Sequence, residues 1–336
     1  MMSTGPMRRA ALVAAAALAV SAATPPPGQA QPLAEPAGAA DTGQALRAFA
    51  SPEAAVRALV AAIQAPGTEP LAALLGRAVL DSVPPAERQA APVRRAAGAR
   101  LAGQRFEIRY EGPARDRAVA VFGDEQAALP AVLRRTPRGW VFDQQATIAA
   151  MRERRIGVNE ANAIRALQAL AQAQERFRTS DRTGDGVLRY AERIRSSPGQ
   201  RDGLVADDGG VLPGPSASLL NEAFARAEAA PGQRPPDPPA GYAYRILSAQ
   251  GPSAEGGARS YLTNGRLTEG HAAVAWPTRP GETGLSTLIM DRKGAVFERE
   301  LGARTAEEVG RITAFDPGPG WTRVDTAEPG RTATVR

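Results

Sequence analysis

The sequence has no cysteine, one histidine and one lysine among its 336 residues. Without cysteine, a disulfide framework, a thiol nucleophile, an iron–sulfur cluster and a lipid anchor on cysteine are excluded. A single histidine, His271, cannot build a multi-histidine zinc site. Aromatic residues make up 5% of the chain, whereas glycine and proline number 34 and 29. We therefore expect mostly aliphatic cores and long loops.

Positive charge is spread along the sequence rather than collected in one place. Lysine and arginine number 41 against 35 acidic residues, which gives a net charge of +6, and Lys293 is the only lysine. A nucleic-acid-binding protein usually presents a basic stripe that neutralises phosphates, with aromatic residues placed to stack on bases. Neither pattern is present, and we expect no nucleic-acid partner.

The amino terminus has the order of features that is typical of a secretory signal. Two arginines at positions 8 and 9 precede an uncharged run from Ala10 to Ala23, and small residues and prolines follow. The run is shorter than the roughly 20 apolar residues that a membrane span needs. We predict a signal peptide over residues 1–30, cleaved after Ala30 or alternatively after Ala23, for the Sec or the twin-arginine route. The mature protein would then be periplasmic or secreted, without a membrane span.

The mature sequence is predicted to be α+β and to contain two domains in series. Residues 31–47 are rich in alanine, proline and glycine and are predicted to be a linker. Residues 48–150 are predicted to form an N-terminal domain of helices followed by a curled antiparallel sheet, as in small cone-shaped folds. Residues 151–325 are predicted to place a long helix against an antiparallel sheet, with a tail at 326–336.

Local patterns give the first elements of the N-terminal domain. Ser51 can cap a helix that begins at Pro52, because the apolar residues that follow recur at helical spacing. A short helix is predicted to be stopped by Gly76. Alternating apolar residues indicate strands, and glycine with proline indicates a hairpin turn. The predicted strands are 106–110 and 118–122, and the predicted hairpin pairs 129–133 with 140–142.

The C-terminal domain is predicted to begin with an amphipathic helix from near Asn159 to Phe177. A second helix is predicted over 216–229. Thr305 and Glu308 match a capping box for a final helix. The strands predicted for its sheet are 242–246, 272–276, 285–290 and 295–297.

The segment that follows the long helix matches a twelve-residue calcium loop almost position by position. Gly186 stands where such loops turn sharply. Arg182 and Arg189 add positive charge that opposes a divalent cation. The alternative is an Asx-type turn that closes the helix, with Tyr190 buried. The oxygens that would bind calcium belong to Asp181, Thr183, Asp185, Val187 (backbone carbonyl) and Glu192.

Other signatures of catalysis are weak. His271 lies in an apolar stretch and is interpreted as a packed or surface side chain rather than a base. No serine has the glycine-flanked spacing of a nucleophile elbow, and Lys293 has no serine three positions before it. We therefore assign no catalytic residue and no organic cofactor.

Short motifs recur in a fixed order along the chain. They include residues 154–160, 171–175, 185–191, 197–204, 249–252, 264–266 and 315–317. Together they resemble an uncharacterised exported bacterial family, called domain of unknown function 2950, from about Ser51 to Trp321. The chain departs from the family pattern at Thr183, where aspartate is common, and at His271, where an aromatic or apolar residue is common. The resemblance implies no established activity.

The C-terminal half is also similar to the globular part of type IV pilins and pseudopilins. The similarity rests on Gly241-Tyr242, on Ala275-Trp276-Pro277 and on Thr283-Gly284. Pilin subunits begin with a membrane-spanning helix, whereas the helix in this chain is internal and amphipathic. The resemblance implies a helix-on-sheet fold and does not support assembly by the pilin route.

These patterns favour an exported binding or assembly protein of the bacterial envelope without enzymatic activity, and with an unknown envelope protein as its partner. Two alternatives stay open. One is an envelope hydrolase that uses aspartate or glutamate carboxylates. The other is capture of a small ligand in an apolar cavity of the N-terminal domain, lined by Phe106, Ile108 and Val121.

Overall fold

The computed structural model describes residues 47–84, 88, 91–123, 127–205 and 241–325. The predicted signal peptide, the helix at 216–229, the tail, and the linker except for its last residue lie outside these residues. The chain divides into two compact units between Ala150 and Met151. Within the described residues, no helix combines the length and the apolar character that a bilayer span requires.

The helices of the first unit are short and precede its sheet. The predicted cap is confirmed: Ser51 is extended, its hydroxyl accepts a hydrogen bond from the backbone N–H of Ala54 at 3.3 Å, and Pro52 follows at the first helical position. The last helix of this group was not predicted, because its alanine- and arginine-rich sequence has no continuous apolar face. The helices are α1 (Pro52–Gln64), α2 (Glu69–Leu75), α3 (Arg77–Asp81) and α4 (Ala91–Ala102).

An antiparallel sheet completes the first unit, in the order β1-β2-β4-β5 with β3 paired to β2. The predicted hairpin is present, but its first strand begins at Leu133 rather than at residue 129. Pro130 lies between and cannot donate a backbone hydrogen bond to a ladder. The strands are β1 (Phe106–Glu111), β2 (Arg117–Phe122), β3 (Ala127–Ala128), β4 (Leu133–Thr136) and β5 (Gly139–Phe142).

The register of β1 and β2 separates the three residues that were expected to line a cavity. Val121 is paired with Glu107, whereas Phe106 and Ile108 flank Glu107 on β1. Because neighbouring residues of a strand point to opposite faces, Val121 lies on the face opposite to Phe106 and Ile108. The three side chains therefore do not line one face, and ligand capture in this unit stays a prediction.

The long helix α5 (Gln144–Phe177) begins well before Asn159, so the predicted start is wrong. Asp143 accepts a hydrogen bond from the backbone N–H of Ala146 at 3.0 Å, which is the geometry of an N-cap. The buried hydroxyl of Thr147 accepts another from the backbone of Val132 at 3.0 Å. The first turns of α5 are thereby fixed within the first unit.

The second unit packs α5 on one face of a five-stranded antiparallel sheet, in the order β16-β15-β14-β13-β8. Both faces of the sheet are covered, so β13 and β14 are buried at every position. The α+β class is thereby confirmed. The strands of this sheet are β8 (Tyr242–Leu247), β13 (Ala272–Pro277), β14 (Ser286–Met290), β15 (Val296–Glu300) and β16 (Thr322–Arg323).

Smaller pieces surround this sheet. The parallel pair is β6 (Arg193–Arg195) with β7 (Gly203–Val205), and the short antiparallel pairs are β9 (Ala249–Gln250) with β10 (Arg259–Ser260) and β11 (Leu262–Thr263) with β12 (Arg266–Leu267). The helix α6 (Thr305–Arg311) contributes Val309 to the core on the sheet face away from α5. Its predicted capping box is not formed: the hydroxyl of Thr305 donates to the carbonyl of Gly302 at 2.7 Å, because a 3₁₀ turn precedes the helix.

Gln174 connects α5 to the chain that follows it. Its side chain is completely buried, its Nε2 donates to the carbonyl of Ala191 at 2.8 Å, and its Oε1 accepts from the N–H of the same residue at 2.8 Å. One amide thus satisfies both backbone groups of a buried residue. Such groups are costly to leave without partners.

Replacing Gln174 by leucine should lower the free energy of unfolding by about 3 kcal/mol, because two buried backbone groups of Ala191 lose their partners. Urea unfolding measures the change. The control is Gln172→Leu, an exposed position on the same helix, for which we expect less than about 0.5 kcal/mol. Equal effects at both positions would contradict a structural role for the amide.

Candidate functional site

The segment predicted to bind calcium follows the end of α5 at Phe177 and leads into β6 at Arg193. A helix leads into it, as predicted, but a strand rather than a second helix follows. Its far end is held in place: Ala191 pairs with Gln174, and the backbone N–H of Tyr190 donates to the carbonyl of Leu267 in β12 at 2.8 Å. We call residues 181–192 the acidic loop.

Asp181 organises the first half of the acidic loop. Its carboxylate accepts hydrogen bonds from the backbone N–H groups of Thr183 at 3.1 Å, Gly184 at 2.8 Å and Gly186 at 2.7 Å. The bond from Gly186 is the main cause that lowers the pKa of Asp181. Gly184 and Gly186 have φ values of 75° and 82°, a backbone conformation that favours glycine. The predicted Asx-type turn is thus observed.

Asp185, the central predicted ligand, is paired with two arginines. Its Oδ2 contacts Nη2 of Arg189 and lies 3.1 Å from Nη2 of Arg266 in β12. Nη2 of Arg189 also donates to the hydroxyl of Thr183 at 2.9 Å. Both side chains of the Asp185–Arg189 pair are mostly buried, at 29% and 15% exposure. The guanidinium of Arg189 therefore bridges two of the oxygens that were expected to face a cation.

The remaining predicted ligands are not drawn to the same point. The N–H of Val187 donates to Oδ1 of Asp185 at 3.1 Å, and Glu192 lies on the wall of a neighbouring cavity. Across the described ranges, no group of three or more histidine and carboxylate side chains converges as a metal site. Calcium binding at these residues stays a prediction.

A polar cavity of about 220 Å³ lies beside the acidic loop. The carboxylate on its far wall, Asp202, accepts from the backbone N–H and the hydroxyl of Ser197, both at 2.7 Å. Burial alone would raise the pKa of Asp202, but these hydrogen bonds outweigh it and the pKa is lowered. The cavity is lined by Phe177, Thr183, Arg189, Tyr190, Glu192, Arg193 and Asp202.

His271 lies behind the acidic loop and is completely buried. Its ring centroid is 4.9 Å from that of Tyr190, and among the described residues neither ring nitrogen has a hydrogen-bond partner. Burial, with a smaller contribution from Arg292, lowers the pKa of His271 to about 3. The imidazole is therefore a neutral packing group at physiological pH.

This buried histidine should make the protein less stable in mild acid. Below about pH 6.5 the unfolded chain takes up a proton at His271 that the folded chain does not accept until about pH 3. The free energy of unfolding should therefore fall by about 2.3 kcal/mol more between pH 6.5 and 4.5 in the wild type than in His271→Leu. Urea titrations of both proteins at several pH values measure this difference, and identical pH profiles would contradict it.

A larger open cleft, of about 610 Å³, lies elsewhere in the second unit. We call it the Lys293 cleft. It joins apolar surface from Phe297, Phe315 and Pro317 with charges of both signs. Nζ of Lys293 is 2.8 Å from Oε2 of Glu255 on its exposed rim, and this contact lowers the pKa of Glu255. Its charged lining residues are Glu255, Asp291, Lys293 and Arg323.

Two carboxylates approach Ser286 at the start of β14. Oε1 of Glu160 accepts from the backbone N–H groups of Leu285 at 2.8 Å and Ser286 at 3.0 Å. The hydroxyl of Ser286 donates to Oε2 of Glu298 at 3.2 Å. Burial, and then the nearby negative charges of Glu160 and Glu300, raise the pKa of Glu298. Sequence analysis missed this pair because its members lie on α5 and β15, far apart in the chain.

The fold and the loop define a class: a two-unit α+β protein whose second unit packs a long helix and its acidic loop on an antiparallel sheet. The chain matches, over residues 46–324, the family model described as "Protein of unknown function (DUF2950)". It therefore belongs to this family, and that resemblance is confirmed. No curated protein and no solved structure matches the chain, and the similarity to pilins is not confirmed.

Proposed function

We propose that this protein is an exported binding or assembly protein of the bacterial envelope, which acts by recognising another molecule rather than by chemistry. The support for export is the amino-terminal pattern of two arginines, the uncharged run from Ala10 to Ala23 and small residues up to Ala30. Most residues of the acidic loop are exposed, but the carboxylates of Asp181 and Asp185 are already engaged in hydrogen bonds and ion pairs within the chain.

The observation that carries the binding role is the Lys293 cleft. Its volume lies in the range of ligand pockets, and its open lining is mostly polar, with an apolar patch from Phe297, Phe315 and Pro317 beside four charged side chains. Phe297 and Phe315 pack edge to face at 5.7 Å, which gives the cleft a firm apolar wall. The positive charges of Lys293 and Arg323 can pair with carboxylates of a ligand. The carboxylates of Glu255 and Asp291 can pair with its amines. Short peptides of the bacterial cell wall carry both kinds of group next to small apolar side chains.

Export is tested by expressing the full chain in a bacterium and fractionating the cells. We expect a shortened protein in the periplasm or the medium, with a mass that corresponds to cleavage after Ala30 or Ala23. A variant in which the arginines at positions 8 and 9 are replaced by glutamate should stay in the cytoplasm at full length. Full-length wild-type protein in the cytoplasm would contradict export.

Binding is tested by co-sedimentation of the purified protein with peptidoglycan sacculi. The double variant Lys293→Gln/Arg323→Gln should bind about 5–30-fold more weakly, because two exposed charged contacts contribute about 0.5–1 kcal/mol each. The matched control, Arg304→Gln/Arg311→Gln, removes the same charge from exposed side chains just before and at the end of α6, outside the cleft. An equal loss in both variants, or no binding by the wild type, would contradict the proposal.

A second candidate is an envelope hydrolase, and the specific observation that favours it is the pair formed by Glu160 and Glu298. A carboxyl with a raised pKa beside a second carboxylate is the arrangement that acid–base hydrolysis uses. The same co-sedimentation assay with sacculi distinguishes a hydrolase from a binding protein. A hydrolase would release soluble fragments, and Glu298→Gln would stop their release; a binding protein would sediment with intact sacculi and release none.

A further inference from the structure

We propose that Arg189 is the built-in cation of the acidic loop, so that the wild-type loop is held by a guanidinium where a metal-binding loop holds calcium. The structural reason is that Arg189 contacts the hydroxyl of Thr183 and the carboxylate of Asp185 through the same nitrogen. These oxygens occupy the third and fifth positions of the twelve-residue pattern, whose side chains bind the ion in calcium loops.

The balance of charges around the acidic loop supports this assignment. A calcium loop brings several carboxylate, hydroxyl and carbonyl oxygens close together. A cation must balance their mutual repulsion. In this chain Arg189 supplies one positive charge from within the loop, and Arg266 supplies another from β12, 3.1 Å from the same oxygen of Asp185. Charge-assisted hydrogen bonds of this kind are stronger than neutral ones. Together with Arg182, these two arginines balance the three carboxylates of the acidic loop, which are Asp181, Asp185 and Glu192.

Burial distinguishes this contact from an ordinary surface ion pair. The side chain of Arg189 is only 15% exposed, and its Nε is buried without a hydrogen-bond partner among the described residues. A guanidinium that is held at this depth, with its terminal nitrogen between two oxygens, is fixed in position. A calcium ion at the same oxygens would lie against this positive charge, and its binding would be opposed.

The proposal predicts that, without the guanidinium of Arg189, the acidic loop needs a calcium ion for its stability. In Arg189→Gln the oxygens of Thr183 and Asp185 are released, and the new side chain offers an oxygen of its own. This variant should melt about 3–6 °C below the wild type in a chelator, because a mostly buried charged partner is lost. Adding 5 mM CaCl₂ should raise its midpoint by about 2–4 °C.

The melting midpoint of the wild type should differ by less than about 1 °C between 1 mM EDTA and 5 mM CaCl₂. Two controls separate this effect from general charge effects. Arg193→Gln removes one positive charge from the wall of the same cavity without a contact to Thr183 or Asp185 in the described structure, and it should stay insensitive to calcium. Magnesium at 5 mM should not replace calcium in Arg189→Gln, because it demands a smaller octahedral site.

Scanning calorimetry of the purified proteins measures all of these midpoints. The proposal is overturned if calcium stabilises the wild type as much as it stabilises Arg189→Gln, or if folded Arg189→Gln ignores calcium. Should Arg189→Gln be unfolded in EDTA, circular dichroism during a calcium titration replaces the melting curve: recovery of helical signal supports the proposal, and no recovery contradicts it. These readouts do not depend on the envelope-binding role.

Discussion

Buried side-chain hydrogen bonds between α5 and the loops beside the sheet fix the position of the helix in the second unit. Gln174 pairs with both backbone groups of Ala191, and towards the other end of the contact Asn159 donates to the carbonyl of Thr283 at 2.8 Å. Between these points the helix presents small residues, mainly alanines, to the sheet. Apolar contacts alone allow a helix to slide, whereas paired amides permit one register. The acidic loop consequently begins and ends at defined places.

Sequence patterns located the elements that are determined locally. The cap at Ser51, the alternating strands and the apolar face of α5 from Ile164 to Phe177 depend on neighbours a few residues away, and each of them is observed. The predicted start of α5 was wrong because Asp143 caps the helix directly after a strand, where no apolar periodicity yet marks it. The failure at Thr305 has a similar origin, since the preceding 3₁₀ turn takes up the hydroxyl that a capping box would use.

The candidate sites show the same division between local and distant contacts. The turn around Asp181 follows from the spacing of its glycines and could be predicted. The sequence indicated that Arg189 opposes an ion, but not that its guanidinium takes a place among the ligands, because that depends on the path of the loop. Three other features depend on residues that are distant in the chain, and no spacing rule reveals them. They are the ion pair of Arg266 with Asp185, the two carboxylates near Ser286 and the Lys293 cleft.

On the proposal that Arg189 is the built-in cation of the acidic loop, the order of this loop does not depend on calcium. A metal-bound loop loses its ion when calcium is scarce, so its structure reports on the medium in which it resides. A positive charge that is covalently part of the polypeptide has a fixed stoichiometry and cannot be removed by dilution or chelation. On the same proposal, a single substitution at position 189 decides whether this segment responds to ionic conditions.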